Sequence, residues 1–74
     1  MKVQLVSCDA AKPDKYAITK LLAEIADGVD TSLAREFTDN LLEGSPVDIE
    51  IVGKKTSSAT KSLRKLKIDY ELVD

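Results

Sequence analysis

The chain has 74 residues, 43% of them hydrophobic and 32% charged, and a formal net charge of -2; a chain this short buries only about 60–65% of its unfolded surface, enough for one modest core and no deep two-lobed cleft. It has no His and one Cys, Cys8, which excludes an intrachain disulfide, zinc sites of the usual nitrogen and sulfur types, and Ser–His or Cys–His nucleophilic relays. No apolar stretch approaches the roughly 20 residues of a membrane-spanning helix, and Met1 leads straight into "KVQLV" without a signal-peptide pattern, so the expectation is one cytoplasmic domain over residues 1–74.

"KVQLVSC" (2–8) alternates, Val3 and Leu5 against Gln4, Val6 and Cys8, the period of a half-buried strand. Pro13 at a first helical position, with Asp14 beside it, opens a helix over about 14–27. Its apolar stripe is Ile18, Leu21, Leu22 and Ile25, and Gly28 is its stop. Asp30, Thr31 or Ser32 caps a second helix with Ala34, Phe37 and Leu41 on one side, which ends at "EGSP" (43–46). "PVDIEIVG" (46–53) alternates as a second strand. Thr56, Ser57 or Ser58 caps a third helix with Ala59, Leu63 and Leu66 inward, ending near Lys67. "DYELV" (69–73) is a third strand with Tyr70 and Leu72 on the core side.

The order β-α-α-β-α-β predicts an α+β two-layer fold. If each element reverses direction, the second and third strands both run opposite to the first, so the three-stranded antiparallel sheet has the first strand in the middle, order 2-1-3. All three helices then cover one face and leave the other to solvent.

This order and several stretches resemble the C-terminal domain of the bacterial ribosomal stalk protein, whose architecture the adaptor subunit of the Clp protease shares. "KYAITKLL" (15–22) is similar to that family's first-helix segment, "LLEGSPVDI" (41–49) to its second-helix exit, and "ATKSLRKLKIDYELV" (59–73) to its last helix and strand. The resemblance implies a non-enzymatic, cofactor-free module that captures proteins through basic residues on the first helix and the start of the second; Lys15 and Lys20 fall where the family carries cations. The intervening turn, glycine-rich in the family, reads "DGVD" here, and the second helix offers Glu36, Asp39 and Glu43.

Charge is uneven. Residues 1–50 hold five cations against ten carboxylates, and residues 51–74 six against three. "GKKTSSATKSLRKLK" (53–67) contains Lys54, Lys55, Lys61, Arg64, Lys65 and Lys67 and no carboxylate. Three readings stand open: a solvated helix face, a docking surface for an acidic protein partner, or an RNA or nucleoid contact. No aromatic residue lies between 38 and 69 to stack on bases.

A phosphate loop at "GKKT" would need its earlier glycine where Asp48 stands, and "DGVD" lacks the second glycine and the cations of a KH loop. Cys8 reads as core or sheet-face filler, since nothing basic beyond Lys2 lies near it in the pattern to activate a thiol. Asp27 and Asp30 read as capping groups before a divalent-cation pair. Strict alternation would gather Val6, Val52 and Val73 on the uncovered sheet face as a small apolar patch, a candidate for weak homodimerisation of an otherwise monomeric protein.

Overall fold

The computed structural model describes residues 1–73. Along the chain run β1 (Lys2–Cys8), α1 (Lys15–Ile25), α2 (Thr31–Leu42), β2 (Val47–Glu50), α3 (Thr56–Lys65) and β3 (Ile68–Leu72), with a single 3₁₀ turn over Gly53–Lys55 leading into α3. The sheet is antiparallel in the order β2-β1-β3, as direction counting requires. Its covered face supplies Val3, Leu5, Val47, Ile49 and Ile68 to a core completed by Ile18, Leu22, Ala34, Leu41, Ala59 and Leu63 from the helices. Leu5, Ile18, Leu22 and Leu63 are fully enclosed, and each such side chain contributes about 1.5–3 kcal/mol through removal from water.

Helix ends depart from expectation for local reasons. Asp14, not a preceding residue, is the N-cap of α1, its carboxylate accepting the Ala17 N–H at 3.0 Å; Pro13 therefore lies outside the helix. At the other end, Ala26 leaves α1 to bridge Ile51, and the Asp27 N–H donates to the Glu50 carbonyl at 2.7 Å. The edge of β2 thus stops α1 at Ile25, three residues before Gly28 turns the chain with φ of 74°. Among the three candidates, Asp30 caps α2, accepting from the Leu33 N–H at 2.8 Å. Gly44, with φ of 94°, closes it: the Gly44 N–H donates to Leu41 and the Ser45 N–H to Asn40, the paired bonds of a Schellman end.

None of Thr56, Ser57 and Ser58 caps α3. The 3₁₀ turn runs directly into the helix, which carries no side-chain cap. That turn also shortens the second strand to Val47–Glu50, with Ile51 adding a pair of bonds to Met1: its N–H donates to the Met1 carbonyl at 2.8 Å and its carbonyl accepts from the Met1 ammonium at 3.0 Å. After α3, Lys67 takes a left-handed backbone, φ 61°, and its carbonyl accepts the Asp9 N–H at 2.8 Å. The third strand starts at Ile68, which is buried, and Leu72 at its far end is 60% exposed and not in the core.

One irregularity in β1 changes which face a residue occupies. Leu5 pairs with Tyr70, but Ser7 pairs with Asp69 and Cys8 with Ile68, so the register slips by one at Val6. A bulge of this kind shifts the alternation of every later residue. Cys8 consequently packs against the core instead of facing solvent, and its thiol donates to the Leu66 carbonyl at 3.5 Å. No described helix is long and apolar enough to cross a membrane.

Candidate protein-docking surface

Capping at Asp14 and Asp30 sets the starts of α1 and α2, and a buried polar joint locks the two helices together. The Thr19 hydroxyl donates to the Thr38 hydroxyl at 3.0 Å, and the Thr38 hydroxyl in turn donates to the Ala34 carbonyl at 2.8 Å. This relay satisfies both groups inside the core, where an unpaired hydroxyl would be costly. On the solvent side of the joint, Lys15 forms an ion pair with Asp39. Lys15, Tyr16, Thr19 and Arg35 line an open hollow of about 300 Å³.

Tyr16 is the principal feature of this face. It is 77% exposed, the most exposed of the large hydrophobic side chains. Four residues on, Lys20 is also exposed and lies on the same side of α1 at helical spacing. The surface therefore groups an aromatic ring with Lys15, Lys20 and Arg35. Tyr16 and Arg35 were not singled out by apolar periodicity, which selects inward positions only. The available signal was the reverse one: Tyr16 falls off the Ile18, Leu22, Ile25 stripe, placing a large apolar ring on a polar face.

The basic run on and before α3 is divided by the fold. Lys55 turns back to α1, its ammonium donating to the Glu24 carbonyl at 3.2 Å, where the negative end of the helix dipole favours a cation. Lys67 is held in the left-handed turn. Lys54, Lys61, Arg64 and Lys65 are exposed, and no carboxylate among the described residues forms an ion pair with them. Lys61, Arg64 and Lys65, at i, i+3 and i+4, share one face.

The three valines are not brought together. Val73 lies at one end of the sheet, its N–H donating to the Lys2 carbonyl at 3.0 Å. Val6 sits four residues along β1, roughly 13 Å away at strand rise, and Val52 belongs to the turn after β2. The antiparallel registers, with Val3 opposite both Ile49 and Leu72, keep Val52 and Val73 at the start of β1 and Val6 towards its end, so the apolar patch that strict alternation predicts does not form.

The uncovered sheet face is acidic, with Asp48 and Glu50 on β2 and Asp69 and Glu71 on β3 flanking Gln4 and Ser7. Glu50 receives the Met1 ammonium at 3.1 Å, and Asp69 accepts from the Ser7 hydroxyl at 3.2 Å. A hydrogen bond with Asp69 and the repulsion of its charge raise the Asp9 carboxyl above its ordinary 3.8. Asp30 serves as the cap of α2, and no group of three or more described Cys, Asp or Glu is placed to hold a metal. No family model, curated protein or solved structure matches this chain.

Proposed function

We propose that the chain is a small non-enzymatic protein-interaction module of the ribosomal-stalk C-terminal-domain type, docking its partner on the α1–α2 face around Tyr16. The observation that carries this reading is the exposure of Tyr16 beside Arg35, Lys15 and Thr19 in an open hollow. Tyr and Arg are the residue types that most often dominate binding energy, each worth about 2 kcal/mol or more when centrally placed. The Thr19–Thr38 relay and the two aspartate caps hold the helices rigid beneath them, so little ordering cost falls on association. Surrounding cations suit an acidic partner surface and speed its encounter.

The test is affinity capture from the native cell with wild type, with Tyr16→Ala/Arg35→Glu, and with Lys61→Glu/Arg64→Glu/Lys65→Glu. A protein captured by wild type and by the α3 variant, and lost with the α1–α2 variant, is the expected result. Capture that survives Tyr16→Ala/Arg35→Glu would overturn the assignment of the face.

A second reading is favoured by Lys54, Lys61, Arg64 and Lys65, four exposed cations that form no ion pair among the described residues: an RNA or nucleoid contact through α3. Four phosphate contacts imply that affinity for duplex DNA falls about a hundredfold between 50 and 200 mM salt. Binding to mixed RNA or DNA pools that is absent at low salt would remove it.

A further inference from the structure

The two outer edges of the sheet are not equivalent. Along β2 the Asp27 N–H occupies the Glu50 carbonyl and Ala26 bridges Ile51, so the turn after α1 covers the Glu50–Ile51 end of that edge and leaves only Asp48 of the strand open. Along β3 nothing comparable happens. The bond from the Val73 N–H to the Lys2 carbonyl and the pairing of Gln4 with Glu71 fix the parity of the ladder: Glu71 and Val73 direct their backbone groups inward to β1. Ile68, Tyr70 and Leu72 therefore direct theirs outward, and no described residue bonds to them. Beside this edge lies an open hollow of about 480 Å³ lined by Arg64, Ile68, Asp69, Tyr70 and Leu72. Its Leu72 is 60% exposed.

An unprotected edge invites another strand, and charge decides which. If a second copy paired its own β3 antiparallel to this one and centred on Tyr70, Asp69 would face Glu71 of the other copy twice over. Shifting the centre by one residue either way sets Asp69 against Asp69, or Glu71 against Glu71. Like charges directly opposite are destabilising, so the acidic face works against self-pairing. The same two carboxylates, with Asp9 beside Asp69, complement cations on an incoming strand. On the other side of the pleat, Tyr70 and Leu72 offer apolar surface to its alternate residues.

We propose that the free edge of β3 accepts an extended segment of another protein as a fourth strand, one that alternates Lys or Arg opposite Asp69 and Glu71 with aliphatic residues lying against Tyr70 and Leu72. This surface shares no residue with the α1–α2 face, so it stands or falls separately from that assignment.

The test uses two blocked hexapeptides, one alternating Lys and Val and one alternating Glu and Val, titrated into the full chain while amide hydrogen exchange is followed by NMR. With the Lys–Val peptide at nine-tenths saturation, the Ile68, Tyr70 and Leu72 amides should exchange about tenfold more slowly, and the Glu–Val peptide should leave them unchanged. Asp69→Lys/Glu71→Lys should exchange the two peptides' roles. Tyr70→Pro, which removes an outward N–H and no ladder donor, should abolish protection; if it does not fold, the charge-reversed variant still decides. The proposal is overturned if neither peptide protects these amides, if reversal of charge leaves the preference intact, or if protection falls on Asp48 and Glu50. Protection that grows with protein concentration alone would instead make the occupant a second copy, and would equally overturn it.

Discussion

The Thr19–Thr38 joint gives a test in which two single changes should differ and their combination should cost little. Thr38 is fully buried and Thr19 is 8% exposed, and Thr38 stands in the middle of the relay: it accepts from Thr19 and donates to Ala34. Thr38→Val leaves the Thr19 hydroxyl without a partner in the core, a loss of about 1–3 kcal/mol. Thr19→Val leaves Thr38 still bonded to the Ala34 carbonyl and should cost no more than about 1 kcal/mol. In the double variant, isosteric methyl groups meet across the interface with no orphaned hydroxyl. Its cost should fall below the sum of the singles by about 1–2 kcal/mol, the coupling expected of groups in one network. Urea unfolding followed by circular dichroism resolves this, since a slope near 1 kcal/mol/M turns each kcal/mol into a midpoint shift of about 1 M. A double variant as unstable as the two singles summed, or Thr19→Val costing more than Thr38→Val, would contradict the relay.

Three further outcomes follow from backbone and charge. Gly44→Ala should lower stability by about 1 kcal/mol, because φ of 94° strains a side-chain-bearing residue even though open space surrounds the position; an unchanged melting temperature would count against the Schellman end. Lys67→Gly should raise stability by up to about 1 kcal/mol through relief of the left-handed backbone at φ 61°, and a loss would show that the lysine side chain outweighs that strain. Asp9→Asn tests the pair with Asp69 by pH. A raised folded-state pKa means that the folded protein holds the Asp9 proton more tightly than the unfolded chain, so this contribution is complete below pH 3.8 and disappears as pH rises through the raised value. The variant should therefore gain on wild type between acid and neutral pH in chemical denaturation; wild type gaining on the variant over that interval would refute the coupling.

Strand order and the inward stripes of α1 and α2 were legible because period and direction leave few alternatives: Val3 and Leu5, or Ile18, Leu22 and Ile25, point one way only. What escaped depends on contacts distant in sequence. The slip at Val6 exists because Ser7 and Cys8 pair with Asp69 and Ile68, some 60 residues on, and periodicity within "KVQLVSC" carries no trace of it. The early end of α1 is imposed by β2 through Asp27 and Glu50. A left-handed Lys67 carries none of the glycine or asparagine signal that marks such turns. At the candidate site, Lys15, Lys20 and the α3 cations were visible as charges, but residue type alone did not separate Lys55, engaged by the Glu24 carbonyl, from Lys54, Lys61, Arg64 and Lys65. Tyr16 and Arg35 came together only when α1 was laid against α2.

Docking through the α1–α2 face is tested most directly by contact. A photo-crosslinking benzoylphenylalanine in place of Tyr16, irradiated in the native cell, should yield a discrete protein adduct that disappears when Arg35→Glu is added; the same group in place of Lys61 should yield none. Since Tyr16 is 77% exposed, the replacement should change folding stability by no more than about 0.5 kcal/mol. No adduct from position 16, with one from position 61, would contradict the account and move the working surface to α3.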